Sequence, residues 1–189
     1  MTLKRDLFDI KDENGINSFI ISCLRGYDDL VLFFISVGAD IDARNGWFTP
    51  LTAACRDGHS ETVDILLEKG SMINKTNKFG ETPLYTACIC GHYCIVKCLI
   101  EKRCDVNVQD KCNHTPLCVS CLGGLKNIAI LLIDQGTNAV ECCNSLLIAT
   151  HGGHVDIVDL LIKKGWNVNS VDTQGEPLYS LHARKALPR

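Results

Sequence analysis

Twelve cysteines are the residues of this 189-residue chain whose type and spacing could do chemistry. Cys118 and Cys121 form a C-x₂-C pair, and four further thiols lie close together at Cys88, Cys90, Cys94 and Cys98. A zinc ion requires thiolates or imidazoles that converge in a tetrahedron, and such pairs commonly supply them. A zinc or redox protein is therefore one hypothesis, and it depends on whether the fold brings these thiols together.

Three histidines raise the question of acid–base catalysis. His59, His92 and His154 each follow a glycine, and this regular recurrence indicates a repeated structural contact rather than three general bases. Gly123-Gly124 lacks the pattern of a phosphate-binding loop. Nothing in the sequence brings a Ser, a His and an Asp together, so we predict that the chain is not an enzyme and uses no cofactor.

The composition is that of a globular protein, with 46% hydrophobic and 22% charged residues. A net charge of -3 and a pI near 6.0 provide no basic surface for phosphates, so nucleic acid is not an expected partner. The longest apolar stretch, Leu30 to Val37, is too short to span a bilayer, and the N-terminus has no continuous apolar region of a secretion signal. We therefore expect a cytosolic or nuclear protein with reduced thiols and no membrane partner.

The elements that position these residues repeat along the chain. Thr49-Pro50-Leu51 recurs twice at a spacing of 33, and a glycine follows each copy at the same offset. Thr followed by Pro is a strong helix-start signal, and the glycine ends the short helix. A second helix follows, with apolar residues such as Val63, Leu66 and Leu67 on one side. Each unit is thus a helical hairpin whose apolar side only a neighbouring unit can cover.

These residues resemble the ankyrin repeat, a helix–turn–helix unit of about 33 residues with a projecting β-turn finger. The resemblance covers roughly Asp12 to Leu181 and implies an all-α fold, an ankyrin-type α-solenoid of stacked helix–turn–helix repeats with β-turn fingers. The predicted segments are an N-terminal segment 1–11, five repeats at 12–43, 44–75, 76–108, 109–140 and 141–170, and a partial sixth at 171–189.

The resemblance also places the cysteines. Cys23, Cys55, Cys88 and Cys121 fall at a small buried position of the first helix, and Cys98 falls in the apolar series of the second. Cys118 and Cys121 then face in different directions, so we expect no metal site from this pair. The segment 137–144 is four residues shorter than its counterparts, which should prevent the usual finger there and leave Cys142 and Cys143 as the most exposed thiols.

One departure concerns the residue after Thr-Pro-Leu. The family usually has a histidine there that ties neighbouring turns together, whereas this chain has Thr52, Tyr85, Cys118, Leu147 and Tyr179. We expect some of that hydrogen bonding to be missing.

The resemblance implies a concave groove, formed by the fingers and the exposed side of the first helices, that binds a protein partner. The predicted contact residues are Arg25, Trp47, Phe48, Arg56, Asp57, Lys78, Phe79, Ile89, Lys111 and His114. Aromatic residues and arginine commonly dominate interface energetics, although Trp47 and Phe79 could instead pack between fingers. We predict a monomeric adaptor or scaffold. The alternative is a targeting or substrate-recruiting segment of a larger signalling or ubiquitin-ligase protein.

Overall fold

The computed structural model describes residues 10–137 and 143–167, whose regular secondary structure is helical apart from two isolated bridges. Ten helices lie in these residues and alternate between a first and a second helix of each repeat. They are α1 (Ser18–Arg25), α2 (Asp28–Ser36), α3 (Pro50–Asp57), α4 (Ser60–Glu68), α5 (Pro83–Cys90), α6 (Tyr93–Glu101), α7 (Pro116–Leu122), α8 (Lys126–Asp134), α9 (Cys143–Gly152) and α10 (Val155–Lys163).

The helices form two layers. The first helices stack in the order α1, α3, α5, α7 and α9, and the second helices stack beside them in the order α2, α4, α6, α8 and α10. Each first helix also contacts the second helix of its own repeat. This arrangement confirms the predicted α-solenoid, in which every repeat packs only on its neighbours.

The helix starts follow from the repeated Thr-Pro pair. Thr49, Thr82 and Thr115 have extended backbones, and each side-chain hydroxyl accepts a hydrogen bond from the backbone N–H three residues later. The following proline occupies the first turn, where its missing N–H costs nothing. Asn17 does the same at the start of α1, through a 3.0 Å bond from the N–H of Ile20. Removing such a cap typically costs about 0.5–2 kcal/mol.

The helix ends depend on glycine, as the sequence predicts, and Gly58 shows why. Its φ of 85° is left-handed, and a Cβ at this position would lie 2.7 Å from Cε1 of His92 in the next repeat. The extra glycine of the fourth repeat shifts this pattern by one residue, because Gly123 is right-handed with φ of -80° and Gly124 has φ of 68°.

The core runs through all the described repeats between the two layers. One buried leucine comes from each first helix and one from each second helix in repeats 2 to 5, and each is fully buried or nearly so. They are Leu51, Leu84, Leu117 and Leu146, and Leu66, Leu99, Leu132 and Leu161. Burying a leucine side chain stabilises the fold by about 1.5–3 kcal/mol, so this continuous row holds the repeats together.

The glycine-linked histidines are structural, as predicted. Nε2 of His59, His92 and His154 hydrogen-bonds to a backbone carbonyl near the end of the previous first helix, at 2.8, 2.9 and 3.1 Å. The fourth repeat has Leu125 at this position. Among the described residues, no helix is long and apolar enough to cross a membrane.

Candidate partner-binding surface

The loops that precede the first helices form four fingers in the described part of the chain. We number them by their residues: finger 1 is 12–16, finger 2 is 45–48, finger 3 is 77–81 and finger 4 is 110–114. In fingers 1, 3 and 4 the first side chain accepts hydrogen bonds from the backbone N–H groups two and four residues later. The acceptors are Asp12, Asn77 and Asp110. This arrangement, an Asx turn, fixes the backbone of the finger without using the side chains at its tip.

Adjacent fingers are joined through their backbones. The N–H of Lys78 donates to the carbonyl of Trp47 at 3.3 Å, and the N–H of Lys111 donates to the carbonyl of Phe79 at 3.2 Å. The Trp47 and Phe79 side chains nevertheless remain 40% and 47% exposed. Packing between fingers therefore does not bury either ring, and both are available to a partner.

Phe48 is a correction to the predicted contact set, because it is only 6% exposed and belongs to the core. Finger 2 has four residues rather than five, so Phe48 ends it and immediately precedes the helix cap Thr49. An apolar residue in this position often packs back on the first turn of the helix. The Arg56 guanidinium lies 5.0 Å from the centre of the Phe48 ring, a cation–π distance that holds the arginine over the ring.

The remaining predicted residues are exposed or half-buried. Arg25, Arg56, Asp57 and Ile89 are exposed on the first helices, Lys78 and Lys111 are exposed on fingers, and His114 is half-buried at the end of finger 4. Together with Trp47 and Phe79, they form what we call the finger face. Arg56 and Asp57 approach to 4.0 Å, a contact between exposed charges that contributes little stability.

Sequence reasoning missed Leu122 on this surface. Its side chain is 57% exposed at the end of α7, at the position that Arg56 and Ile89 occupy in the two preceding first helices. The spacing of 33 residues was the signal that could have found it. Ile89 and Leu122 extend the apolar part of the finger face beyond the two aromatic rings.

Of the residues after Thr-Pro-Leu, Tyr85 makes a tie to the next repeat. Its hydroxyl donates a 2.8 Å hydrogen bond to Oδ2 of Asp110 in the next finger. Burial, and then this bond to the carboxylate, raises the pKa of Tyr85. Cys118 also reaches the next repeat, with its Sγ 3.4 Å from the hydroxyl of Ser145. Thr52 instead bonds within its own helix start, to Thr49.

The thiols at the small first-helix position are buried, as predicted. Cys23, Cys55, Cys88 and Cys121 are fully buried, and burial raises the pKa of Cys88 and of Cys121 to about 12. Such thiols are poor nucleophiles and poor metal ligands at neutral pH. Cys118 and Cys121 both lie near the hydroxyl of Ser145, and Cys118 also accepts a hydrogen bond from the hydroxyl of Thr115.

The prediction that Cys98 belongs to the core, from its place in the apolar series, is wrong. It is only partly buried, and its Sγ donates a 3.3 Å hydrogen bond to the Asp64 carboxylate of the preceding repeat. Burial, followed by this hydrogen bond, raises its pKa to about 11. Exposed thiols among the described side chains are Cys90, Cys94 and Cys112.

One set of potential metal ligands comes together in the described residues, and the cysteine spacing did not predict it. Asp110, Cys112 and His114 of finger 4 place their ligand atoms within 4.8 Å of one another. The predictions for the short segment 137–144, for the Cys142 and Cys143 thiols and for the partial sixth repeat concern residues or side chains outside those described.

Comparison with known proteins supports the same architecture. The family model for ankyrin repeats, which contains three copies, matches overlapping segments at residues 4–77, 19–110, 71–141 and 94–172. The chain is 34% identical over 71 residues, 38% of its length, to "Ankyrin repeat and KH domain-containing protein 1" of Homo sapiens. It is 41% identical over 54 residues, 29% of its length, to "Ankyrin repeat and SOCS box protein 11" of Danio rerio. The matches span only 3% and 18% of those two relatives. From the family match and the stacked helical hairpins, the chain belongs to the ankyrin repeat family.

Proposed function

We propose that this chain is an adaptor or scaffold that binds a protein partner through the finger face. Ankyrin repeats are protein-interaction modules and generally not enzymes. The observation that carries the proposal is that Trp47 and Phe79 keep exposed rings although their backbones are fixed by hydrogen bonds to the next finger. Exposed aromatic side chains on a rigid backbone bind at low entropic cost, which favours a role as interface anchors.

The side chains of the finger face suggest the chemistry of the partner. Its four cations, Arg25, Arg56, Lys78 and Lys111, are balanced by Asp57 and by the acidic residues of the same fingers, so no net charge selects the partner. The exposed rings favour a partner segment that carries apolar side chains. The acidic pI of about 6.0 supports a protein partner rather than nucleic acid.

The test compares two pairs of exposed apolar side chains. Trp47→Ala/Phe79→Ala removes the two anchors of the finger face, and Tyr93→Ala/Val155→Ala removes two exposed apolar side chains that begin second helices. We expect proteins captured from cell extract by the wild type to be retained by the second variant and lost by the first. Equal capture by both variants, with unchanged circular dichroism, would reject the finger face as the binding surface.

A second candidate function is the recruitment of a substrate to a larger signalling or ubiquitin-ligase protein. Similarity to a relative whose name includes a SOCS box favours it. Depleting the full-length protein from cells should then lengthen the half-life of the captured partner. An unchanged half-life would contradict substrate recruitment and would be compatible with the adaptor role.

We further propose that the chain acts as a monomer in the cytosol or nucleus. The proposal is supported by the core, because repeats 2, 3 and 4 are each covered on both sides by neighbouring repeats of the same chain. Light scattering and cell fractionation test these two statements. A stable dimer at micromolar concentration would contradict the first.

A further inference from the structure

We propose that finger 4 binds a zinc ion through Oδ2 of Asp110, Sγ of Cys112 and Nδ1 of His114. One ligand atom from each of the three residues lies within 4.8 Å of the other two, and Oδ2 of Asp110 is 3.6 Å from Nδ1 of His114. Zinc bonds of 2.0–2.3 Å in a tetrahedron place the ligand atoms about 3.3–3.8 Å apart. The carboxylate and imidazole are thus already at the required separation, and only the exposed Cys112 side chain has to move closer.

The Asp110 carboxylate is held in place by three hydrogen bonds that leave room for a metal. Oδ1 accepts the N–H groups of Cys112 and His114, each at 2.8 Å, and Oδ2 accepts the Tyr85 hydroxyl at 2.8 Å. Each carboxylate oxygen has two lone pairs, so Oδ2 retains one for an ion. Ligands oriented by such outer hydrogen bonds bind metals more tightly, and Tyr85 is a positioning residue in this sense.

The charges of the ligand set also suit a cation. On binding, the Cys112 thiol releases its proton to solvent, and a carboxylate, a thiolate and a neutral imidazole together balance the charge of Zn²⁺. Water fills the fourth position.

The other fingers show that the same turn geometry occurs without these metal-binding residue types. Fingers 1 and 3 have the same Asx geometry, with a side-chain oxygen accepting the same two N–H groups. Their equivalent tip positions carry Asn14 and Ile16 in finger 1, and Phe79 and Glu81 in finger 3. Finger 4 places a thiol and an imidazole on this backbone, two residue types that bind zinc well.

Cobalt titration tests the site, because Co²⁺ takes zinc ligands and absorbs visible light. We expect the reduced, chelator-treated full chain to develop a thiolate-to-cobalt absorption band at one equivalent, and we expect Zn²⁺ to displace it. Cys112→Ser should abolish the band, whereas the exposed-thiol controls Cys90→Ser and Cys94→Ser should keep it. His114→Ala should weaken the affinity at least tenfold, and Tyr85→Phe should weaken it about tenfold or more.

Two results would overturn the proposal. One is the lack of a thiolate band in the wild type, and the other is a band that persists unchanged in Cys112→Ser, which would assign the metal to another cysteine. Cys112 and His114 lie at the finger surface, so circular dichroism should show that both variants keep the fold. The readout is independent of any protein partner.

Discussion

The contact between repeats 2 and 3 and the contact between repeats 3 and 4 use different polar ties. We call them seam 2–3 and seam 3–4. In seam 2–3 the tie lies at the ends of the first helices, where His92 reaches the carbonyl of Arg56 at 2.9 Å. Seam 3–4 has Leu125 in place of that histidine, and its tie lies at the fingers, where Tyr85 bonds to Asp110 at 2.8 Å.

The two substitutions complement each other. Thr52, the counterpart of Tyr85 in repeat 2, uses its hydroxyl within its own helix start and cannot reach the next finger. Seam 2–3 thus has the histidine but not the tyrosine, and seam 3–4 has the tyrosine but not the histidine. The comparison shows that a seam can lack the histidine bond at the helix ends while a different side chain, a tyrosine, bonds across the seam at the fingers.

The largest effect should come from the core that both seams share. Leu66→Ala in repeat 2 and Leu132→Ala in repeat 4 should each lower the free energy of unfolding by about 2–5 kcal/mol, because both side chains are fully buried. Urea denaturation followed by circular dichroism measures this. A loss below about 1 kcal/mol for either variant would mean that its site collapses around the missing atoms.

The finger tie of seam 3–4 comes next. Tyr85→Phe should cost about 1.5 kcal/mol, because it removes a hydrogen bond to a charged carboxylate. Tyr93→Phe is the matched control, since that ring is exposed at the start of α6, and it should change stability by less than about 0.5 kcal/mol. Equal effects of the two variants in urea denaturation would show that the Tyr85 bond contributes nothing.

The same tie should depend on pH. The folded pKa of Asp110 lies below its ordinary value of 3.8, so the stability from its charge is fully present above that value and is lost as pH falls through the lower, folded pKa. Asp110→Asn keeps the Oδ1 acceptor, as Asn77 does in finger 3, and replaces the charged Oδ2 that accepts the Tyr85 hydroxyl by an uncharged NH2 group. Its stability deficit relative to the wild type should therefore shrink on acidification below about pH 4.

The pH series should use denaturant midpoints, with His114→Gln in both proteins. The imidazole of His114 lies 3.6 Å from Asp110, and this change removes its titration from the comparison. A deficit that grows as the pH falls would contradict the assignment.

Exchanging the histidine tests the tie of seam 2–3. His92→Ala should cost about 1 kcal/mol through the lost bond to Arg56. Leu125→His should recreate the tie in seam 3–4 with the carbonyl of Ile89 and gain up to about 1 kcal/mol. Thermal unfolding measures both. Destabilisation by Leu125→His would show that the packing of Leu125 on the core outweighs the missing hydrogen bond.

The smallest effect on stability should come from the finger face. Trp47→Ala and Phe79→Ala should each change the free energy of unfolding by less than about 0.5 kcal/mol, because the rings are exposed and the finger-to-finger bonds use only backbone atoms. A melting temperature lowered as far as in Leu66→Ala would instead assign these rings a packing role between the fingers.

The repeat pattern was sufficient to predict the fold, because three copies carry the same Thr-Pro cap and a glycine ends the first helix of each copy. Thr49 and Gly58 are local signals whose outcome depends on a few neighbouring residues, and the structure confirms both. Phe48 was predicted wrongly because finger 2 is one residue shorter than fingers 1, 3 and 4, and only the actual turn shows that Phe48 reaches the core. Composition gives no sign of that difference.

Contacts between repeats were harder to predict. Tyr85 and Asp110 are 25 residues apart, and their bond depends on how finger 4 sits against the start of α5. Asp110, Cys112 and His114 alternate along a loop, where no helix or strand period predicts that their side chains converge. Cys98 was assigned to the core by its place in the apolar series, but Asp64 on the neighbouring helix provides an acceptor at the partly exposed edge.

The close approach of Gly58 and His92 has a consequence for how this chain can change over generations. Any side chain at Gly58 would meet the imidazole, so the two positions are expected to vary as a pair rather than singly. Gly91 lacks the steric part of that constraint, since a Cβ there would lie 3.5 Å from the nearest atom of Leu125, an ordinary contact. Its left-handed φ of 78° still disfavours most residues but admits asparagine. We therefore expect substitutions to be tolerated at Gly91 more readily than at Gly58.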